Sequence, residues 1–254
     1  MRRIVLAVIT LLVMAGSAHA QQSAARGWLD VNFGTVSMTH DGFENSVSVP
    51  VFGETATFGA SYAQPLGAHF DFGGGYMFVP RVGIGVSFSG DVSDGTPTLT
   101  ARIPHPLYFN AFASDTIEGD TDLRRSEGAV NISIVVNAMP FNPKFNIRLF
   151  GGPTYYRVTQ DAVTDIRYNQ QFAIFAPTQN VDITNYTFDE VEGTGWGYHI
   201  GLDANVFFSN VVGVGFGIKY GGATVPLENA LFGEYDSDAG GFNFFGGLRL
   251  RFGR

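Results

Sequence analysis

The sequence predicts an all-β protein whose antiparallel strands close into a transmembrane barrel. Three observations carry the prediction. Large apolar residues alternate with Gly, Asn, Ser and isolated charges along most of the chain, and helical periodicity is nearly absent. The alternating stretches reach the ~9–11 residues that a tilted strand needs to cross a bilayer, longer than the ~5–6 of an ordinary soluble strand. Short and long connections follow one another in turn, and 16 of the 23 acidic residues fall in the three long ones, 91–125, 159–194 and 222–239.

The chain begins MRRIVLAVITLLVMAGSAHA. Arg2 and Arg3, an apolar run from Ile4 to Ala15 and the small-x-small Ala18-His19-Ala20 are the parts of a secretory signal peptide. Residues 1–20 are expected to be removed before Gln21, leaving 21–254 as one domain. The run is shorter than the ~20 residues of a spanning helix, and no later stretch is long and apolar enough for one. The chain holds no Cys, so disulfides and a lipid-modified cysteine are both excluded. Loss of Arg2 and Arg3 leaves 15 − 2 = 13 Lys+Arg against 23 Asp+Glu, a net charge of −10. That balance excludes nucleic acid as a partner, because phosphate binding depends on a basic surface.

The strands follow in order. In 27–38, Leu29, Val31 and Phe33 alternate with Asp30, Asn32 and Gly34. Residues 44–52 carry Val47, Val49 and Val51 on one face, and a turn at Gly53-Glu54 leads into 55–63. Residues 68–78 and 82–90 form a hairpin across Val79-Pro80-Arg81. Phe70, Phe72, Tyr76 and Phe78 oppose His69, Asp71, Gly73 and Gly75, and Val82, Ile84, Val86 and Phe88 oppose Gly83, Gly85, Ser87 and Ser89. The pattern recurs in 126–138, 145–158, 195–208, 211–221 and 240–252. A soluble sandwich also alternates, but a Gly-, Asn- and Ser-rich face suits a confined lumen better than a solvated surface. The total is ten strands, an even number as bacterial barrels require. Eight, with the N-terminal segment outside the wall, is the alternative. Inward glycines such as Gly215 and Gly217 would leave room for Arg148, Phe150 and Lys219 in a narrow interior.

FDFGGGYMFVPRVGIGVSFSG and the closing GGFNFFGGLRLRF resemble the small outer-membrane β-barrel domain proteins of Gram-negative bacteria. The likeness covers the mature chain as a pattern. It implies location in the outer membrane, contact with its lipid and lipopolysaccharide, and insertion by the barrel-assembly machinery. Gly247, Leu250 and Phe252 match the Gly and the two hydrophobic positions of the family's C-terminal assembly signal. Phe245 stands where a polar residue is usual, and Gly253-Arg254 follow the terminal aromatic. The family hosts structural proteins, pores, adhesins and a few enzymes, so resemblance alone fixes no activity.

The alternation aims Asp30, Asp71, Arg148, Asp203, Lys219, Arg249 and Arg251 into the lumen, with His69 and His199 beside them. Closure would bring Arg249 or Arg251 towards Asp30. Two readings stand. A salt-bridged plug would fill a solid barrel, or the charges would line a narrow passive channel. The plug is preferred because an unpaired buried charge is costly. The expected role is therefore structural or surface-interacting, without catalysis, cofactor or metal. A loop-borne hydrolase is a second alternative. It would use His105, in IPHPLYFN, with the paired acids Asp120/Asp122 or Asp236/Asp238.

Overall fold

The computed structural model describes residues 26–38, 43–62, 66–140 and 142–253. The expected signal peptide and its cleavage site lie outside them. Twelve strands follow in order: β1 (Gly27–Met38), β2 (Phe43–Val51), β3 (Glu54–Tyr62), β4 (Gly67–Val79), β5 (Val82–Gly95), β6 (Pro97–Pro104), β7 (Phe112–Glu118), β8 (Leu123–Asn137), β9 (Phe145–Phe172), β10 (Gln179–Phe207), β11 (Val212–Asn229) and β12 (Gly233–Phe252).

Eight of them close the barrel, in the ring order β1-β12-β11-β10-β9-β8-β5-β4 and back to β1. The expected ten strands are therefore not what the wall contains. The number agrees with the eight-strand alternative, but the membership does not. Residues 27–38 lie inside the wall, pairing Asp30 with Arg249 on one side and with Gly73 on the other. The hairpin β2–β3 instead joins a second, four-stranded sheet in the order β2-β3-β6-β7. Its composition explains the departure. A wall strand needs one face for lipid and one for the lumen, whereas β3 turns the small Ala56 and Ala60, with Tyr62, into an apolar core against Leu99, Ile103, Ile166 and Val181.

The long loops are corrected as well. Most of 91–125, 159–194 and 222–239 is strand, with β9 and β10 running 28 and 29 residues. Side-chain parity continues from the wall into the first part of these extensions while the chemistry of the two faces inverts; further out on β9 and β10 it shifts at irregularities between Ile183 and Asn185 and between Thr187 and Phe188. On β11, the even positions Val212, Val214 and Phe216 are exposed and apolar, then Thr224 and Glu228 are exposed and polar. The odd positions change from Gly217 and Lys219 to Val225 and Leu227, all buried. The same inversion falls between Tyr155 and Arg157 on β9 and between Asp238 and Phe242 on β12. The lower half thus obeys the rule of a lipid solvent, and the upper half obeys the rule of water. Trp196 and Tyr198 sit at this boundary on the outward face, as an interfacial girdle requires.

Above the boundary, Tyr156, Val158, Val191, Val225, Leu227 and Ala239 form one apolar cluster, and the core under the second sheet forms another. The Tyr62 hydroxyl joins the two layers by accepting the Val163 N–H at 2.8 Å. Burial pushes that phenol up to about 12, and Tyr235 likewise. The three short turns at the opposite end connect β4–β5, β8–β9 and β10–β11. In outer-membrane barrels that end is periplasmic and the long extensions face outward.

Candidate functional site

The lumen gathers the chain's buried charges, and parity puts them there. Asp30 on β1, Asp71 on β4, Arg148 on β9, Asp203 on β10, Lys219 on β11 and Arg249 on β12 all point inward, opposite lipid-facing neighbours. Glycine supplies the space. A Cβ on Gly215 would lie 2.5 Å from Arg249 Nε, and one on Gly217 would lie 2.5 Å from the Phe245 ring.

Near the periplasmic end, one layer joins four charges. Arg148 Nη2 donates to Asp30 Oδ2 at 2.7 Å and also to Asp203 Oδ2. Arg249 Nη2 donates to Asp203 Oδ1 at 2.9 Å, while its Nε reaches Asn205 Oδ1 at 2.7 Å and its Nη1 reaches Asn32 Oδ1 at 2.5 Å. Arg249 is only 1% exposed, so these bonds replace its entire hydration shell. Asp30 Oδ1 stands 3.6 Å from Arg249 Nε, so the expected pair exists, but Asp203 is the carboxylate shared by both arginines. Arg251 departs from its expected place. It caps the periplasmic turns, donating to the carbonyls of Pro143 at 2.6 Å and Asn210 at 3.1 Å, with its guanidinium 3.8 Å from the Phe207 ring centroid. Its position one pleat below Arg249 puts it at the mouth.

Higher up, Lys219 Nζ donates to Ser89 Oγ at 3.2 Å and stands 3.8 Å from Asp71. His69 Nδ1 meets Asp91 Oδ1 at 2.5 Å. His199 lies between two hydroxyls, with Ser133 Oγ 2.8 Å from Nε2 and Thr154 Oγ1 2.7 Å from Nδ1. The Thr154 hydroxyl gives its own proton to Asn131 Oδ1 at 2.9 Å. It must therefore accept from His199 Nδ1–H, while Nε2 faces the Ser133 hydroxyl. The resulting chain orients the His199 ring and Ser133. Its orienting group is a hydroxyl rather than a carboxylate, so it lacks the third member of a hydrolytic triad. At the top of the lumen, Arg125 bonds Glu127 at 2.8 Å, Gln160 at 2.7 Å, Ser237 at 2.8 Å and the Asp238 carbonyl at 2.7 Å.

Two features decide what this interior can do. First, Arg148, Lys219 and Arg125 each bond to a strand four places round the eight-strand ring: Arg148 from β9 to Asp30 on β1, Lys219 from β11 to Ser89 on β5, and Arg125 from β8 to Ser237 on β12. Each side chain crosses the full width of the lumen, at three successive heights. Second, charges of both signs meet in the interior. Among the described residues, Asp30, Asp71, Asp91, Glu127 and Asp203 share it with Arg125, Arg148, Lys219 and Arg249, and Arg251 lies below them at the mouth. Cavities among the described lumen residues include one of about 60 Å³ beside Ser87 and Ser133 and one of about 50 Å³ at the periplasmic mouth. Arg148 and Trp28 line both, so they form the partition between them.

Sequence reasoning missed Asp91, Arg125 and Glu127 as lumen residues because two of them fell in an assumed loop. Extending the parity of 82–90 upward through Asp91, and that of 126–138 through Arg125, would have found them. The residues considered for hydrolysis are dispersed. His105 is buried at the end of β6, where its Nδ1 accepts the N–H groups of Leu107 and Tyr108 at 3.0 and 3.3 Å and its ring packs on Phe172. Asp120 accepts from Tyr186 at 2.9 Å, Asp122 from Thr96 at 2.7 Å and Asp238 from Thr224 at 3.2 Å. Gly247 lies in the β1–β12 seam, opposite Asn32, and Leu250 and Phe252 lie across it from Leu29 and Gly27.

A family model described as "Outer membrane protein beta-barrel domain" matches residues 6–252. Among solved structures, the outer membrane protein OprG from Pseudomonas aeruginosa is 10% identical, with 92% of this chain and 98% of that one covered and a TM-score of 0.50. Outer membrane protease OmpT from Escherichia coli is 11% identical, covering 92% and 99% with a TM-score of 0.49. Neisserial surface protein A is 10% identical, covering 91% and 100% with a TM-score of 0.45. At these identities the likeness is one of fold. No curated protein matches the chain.

Proposed function

We infer, for a chain that belongs to the outer membrane protein β-barrel domain family and resides in the outer membrane, a structural and surface-interacting role in which the barrel is closed to solutes and serves as the base of its outward β-structure. The observation that supports this reading is the set of three side chains that cross the lumen, Arg148 to Asp30, Lys219 to Ser89 and Arg125 to Ser237. A charge-lined channel would favour one sign of ion, whereas this interior carries both signs bonded to one another. Each crossing must break before a solute can pass, and at Arg148 the crossing is a buried ion pair, whose loss costs ~3–5 kcal/mol. The wild-type protein in planar bilayers should therefore show no reproducible unitary conductance. Discrete, ion-selective steps would replace this reading with that of a narrow passive channel.

Export would precede this role. Residues 1–20 serve as the signal peptide, and Gly247, Leu250 and Phe252 present the assembly signal to the insertion machinery. The mature protein extracted from outer membranes should have the mass of a chain beginning at Gln21. A mass that includes Arg2 and Arg3 would instead make the apolar run an anchor.

A further inference from the structure

The outermost end of the molecule is largely apolar, with the Glu54 carboxylate at its edge. Three turns meet there: the β2–β3 turn, the β6–β7 loop and the β9–β10 loop. Tyr108 Oη donates to the Ile174 carbonyl at 3.3 Å, and Asn110 N donates to Glu54 Oε1 at 2.9 Å, so the three are tied together. They carry Phe52, Leu107, Phe109, Phe172, Ile174 and Phe175, all exposed, with Phe175 at 94% and Phe109 at 77%. Segments 50–53, 105–111 and 172–178 contain no Asp, Glu, Lys or Arg, in a chain that is 15% charged. Isolated exposed hydrophobics need no explanation, but six large ones on three adjoining tips do.

Backbone geometry at Phe52 is an independent observation. Phe52 and Gly53 have φ values of 53° and 79°. Two consecutive left-handed residues make a type I′ hairpin turn, where Asn-Gly or Asp-Gly is the favoured pair because a bulky Cβ is strained there. Phenylalanine holds this position with its ring in solvent. Folding alone would favour a smaller residue, so the ring points to a use outside the fold.

We propose that this tip inserts into the interfacial region of an opposing phospholipid bilayer. The inference rests on the surface-interaction reading above and names its partner. Three points favour lipid over another protein. The side chains project from convex turns rather than lining a groove, so each can enter a fluid headgroup layer independently. Aromatic and aliphatic residues with one Tyr hydroxyl at their base have the composition of an interfacial anchor. The scarcity of charge, with the Glu54 carboxylate held by Asn110 N, suits a zwitterionic surface, which the acidic body below would not repel as it would an anionic one. Reach is sufficient too: Phe172 lies 172 − 156 = 16 residues beyond the boundary on β9, roughly 50 Å of strand path at ~3.3 Å per residue.

The test uses the whole protein held in phosphatidylcholine nanodiscs and mixed with separate phosphatidylcholine vesicles. Loaded discs should float with the vesicles, and empty discs should not. The pair Phe109→Ser with Phe175→Ser should reduce flotation ~tenfold or more, with heat-modifiable gel migration unchanged, because both rings are already in solvent. In a second readout, Phe175→Trp should shift its emission to the blue on vesicle addition and be quenched by brominated lipid. Failure of the wild type to float, flotation undiminished in the double variant, or binding confined to anionic vesicles each overturns the proposal. Faster sedimentation of loaded discs without vesicles overturns it in favour of a second copy as the occupant. The conductance experiment fails separately: a conducting lumen defeats the closed-barrel reading and leaves the flotation result standing.

Discussion

Asp203→Ala should be the most damaging single change in the lumen, lowering stability by about 3–5 kcal/mol. Asp203 is the one carboxylate bonded to both Arg148 and Arg249. Its removal takes a carboxylate from two buried guanidiniums at once. Arg148 retains Asp30 at 2.7 Å, but Arg249 is left with Asn205, Asn32 and a carboxylate 3.6 Å away. Asp30→Ala should cost less, because Asp30 Oδ1 accepts no hydrogen bond and Arg148 keeps Asp203. Adding Arg249→Ala to Asp203→Ala should recover part of the loss, since the stranded cation is then gone. Asp203→Asn separates shape from charge. It keeps an acceptor in place and should fall between wild type and Asp203→Ala. Chemical unfolding in detergent, followed by heat-modifiable migration and measured for all four corners of the Asp203/Arg249 cycle, gives the coupling. Additive single effects would show that the layer is not a bonded unit, and would reopen the lumen as a water-filled passage.

The faces of this protein were legible in its sequence because strand parity is local. Ile84 outward and Gly85 inward follow from one alternation, and the structure keeps that assignment on every wall strand. The number of wall strands depends on pairings between distant segments, and parity does not specify neighbours. Residues 27–38 and 55–63 alternate equally well, yet only the first carries Leu29 and Phe33 for lipid. The second buries Ala56 and Ala60, a soluble-core choice that could have been read as such. The outward extensions were hidden for a related reason. Polar outward faces with Pro or Gly resemble loops in a sequence, whereas here they mark a change of solvent along continuous strands. In the lumen, the list of charges was legible but most of the bonds were not. Partner choice depends on barrel stagger, which carries Arg148 across to Asp30 and leaves Arg251 among turn carbonyls. His105, flanked by two prolines, does form a rigid turn, and its ring is used there to hold backbone N–H groups.

The inversion of face chemistry along β11 makes a second large effect expected. Phe216 and Thr224 lie on the same strand and face outward with the same parity. Phe216 stands at the middle of the apolar stretch from Val212 to Tyr220, and Thr224 lies just beyond it, opposite Asp238. Arginine at the bilayer midplane costs ~2–4 kcal/mol and near the interface ~0–1 kcal/mol. Phe216→Arg should therefore leave much of the protein uninserted. Thr224→Arg should insert as well as the wild type, with its guanidinium in water beside the Asp238 carboxylate. In a water-soluble sheet the order would differ, because substitutions at exposed positions usually stay within ~0.5 kcal/mol. Phe216 is 63% exposed in the isolated chain, so only a lipid solvent gives a reason for its replacement to be costly. Urea titration of both variants folded into lipid vesicles, with the folded fraction read by gel migration, measures the difference. Equal behaviour of the two would place β11 in one solvent along its whole length, and the boundary drawn between Tyr220 and Thr224 would have to be abandoned.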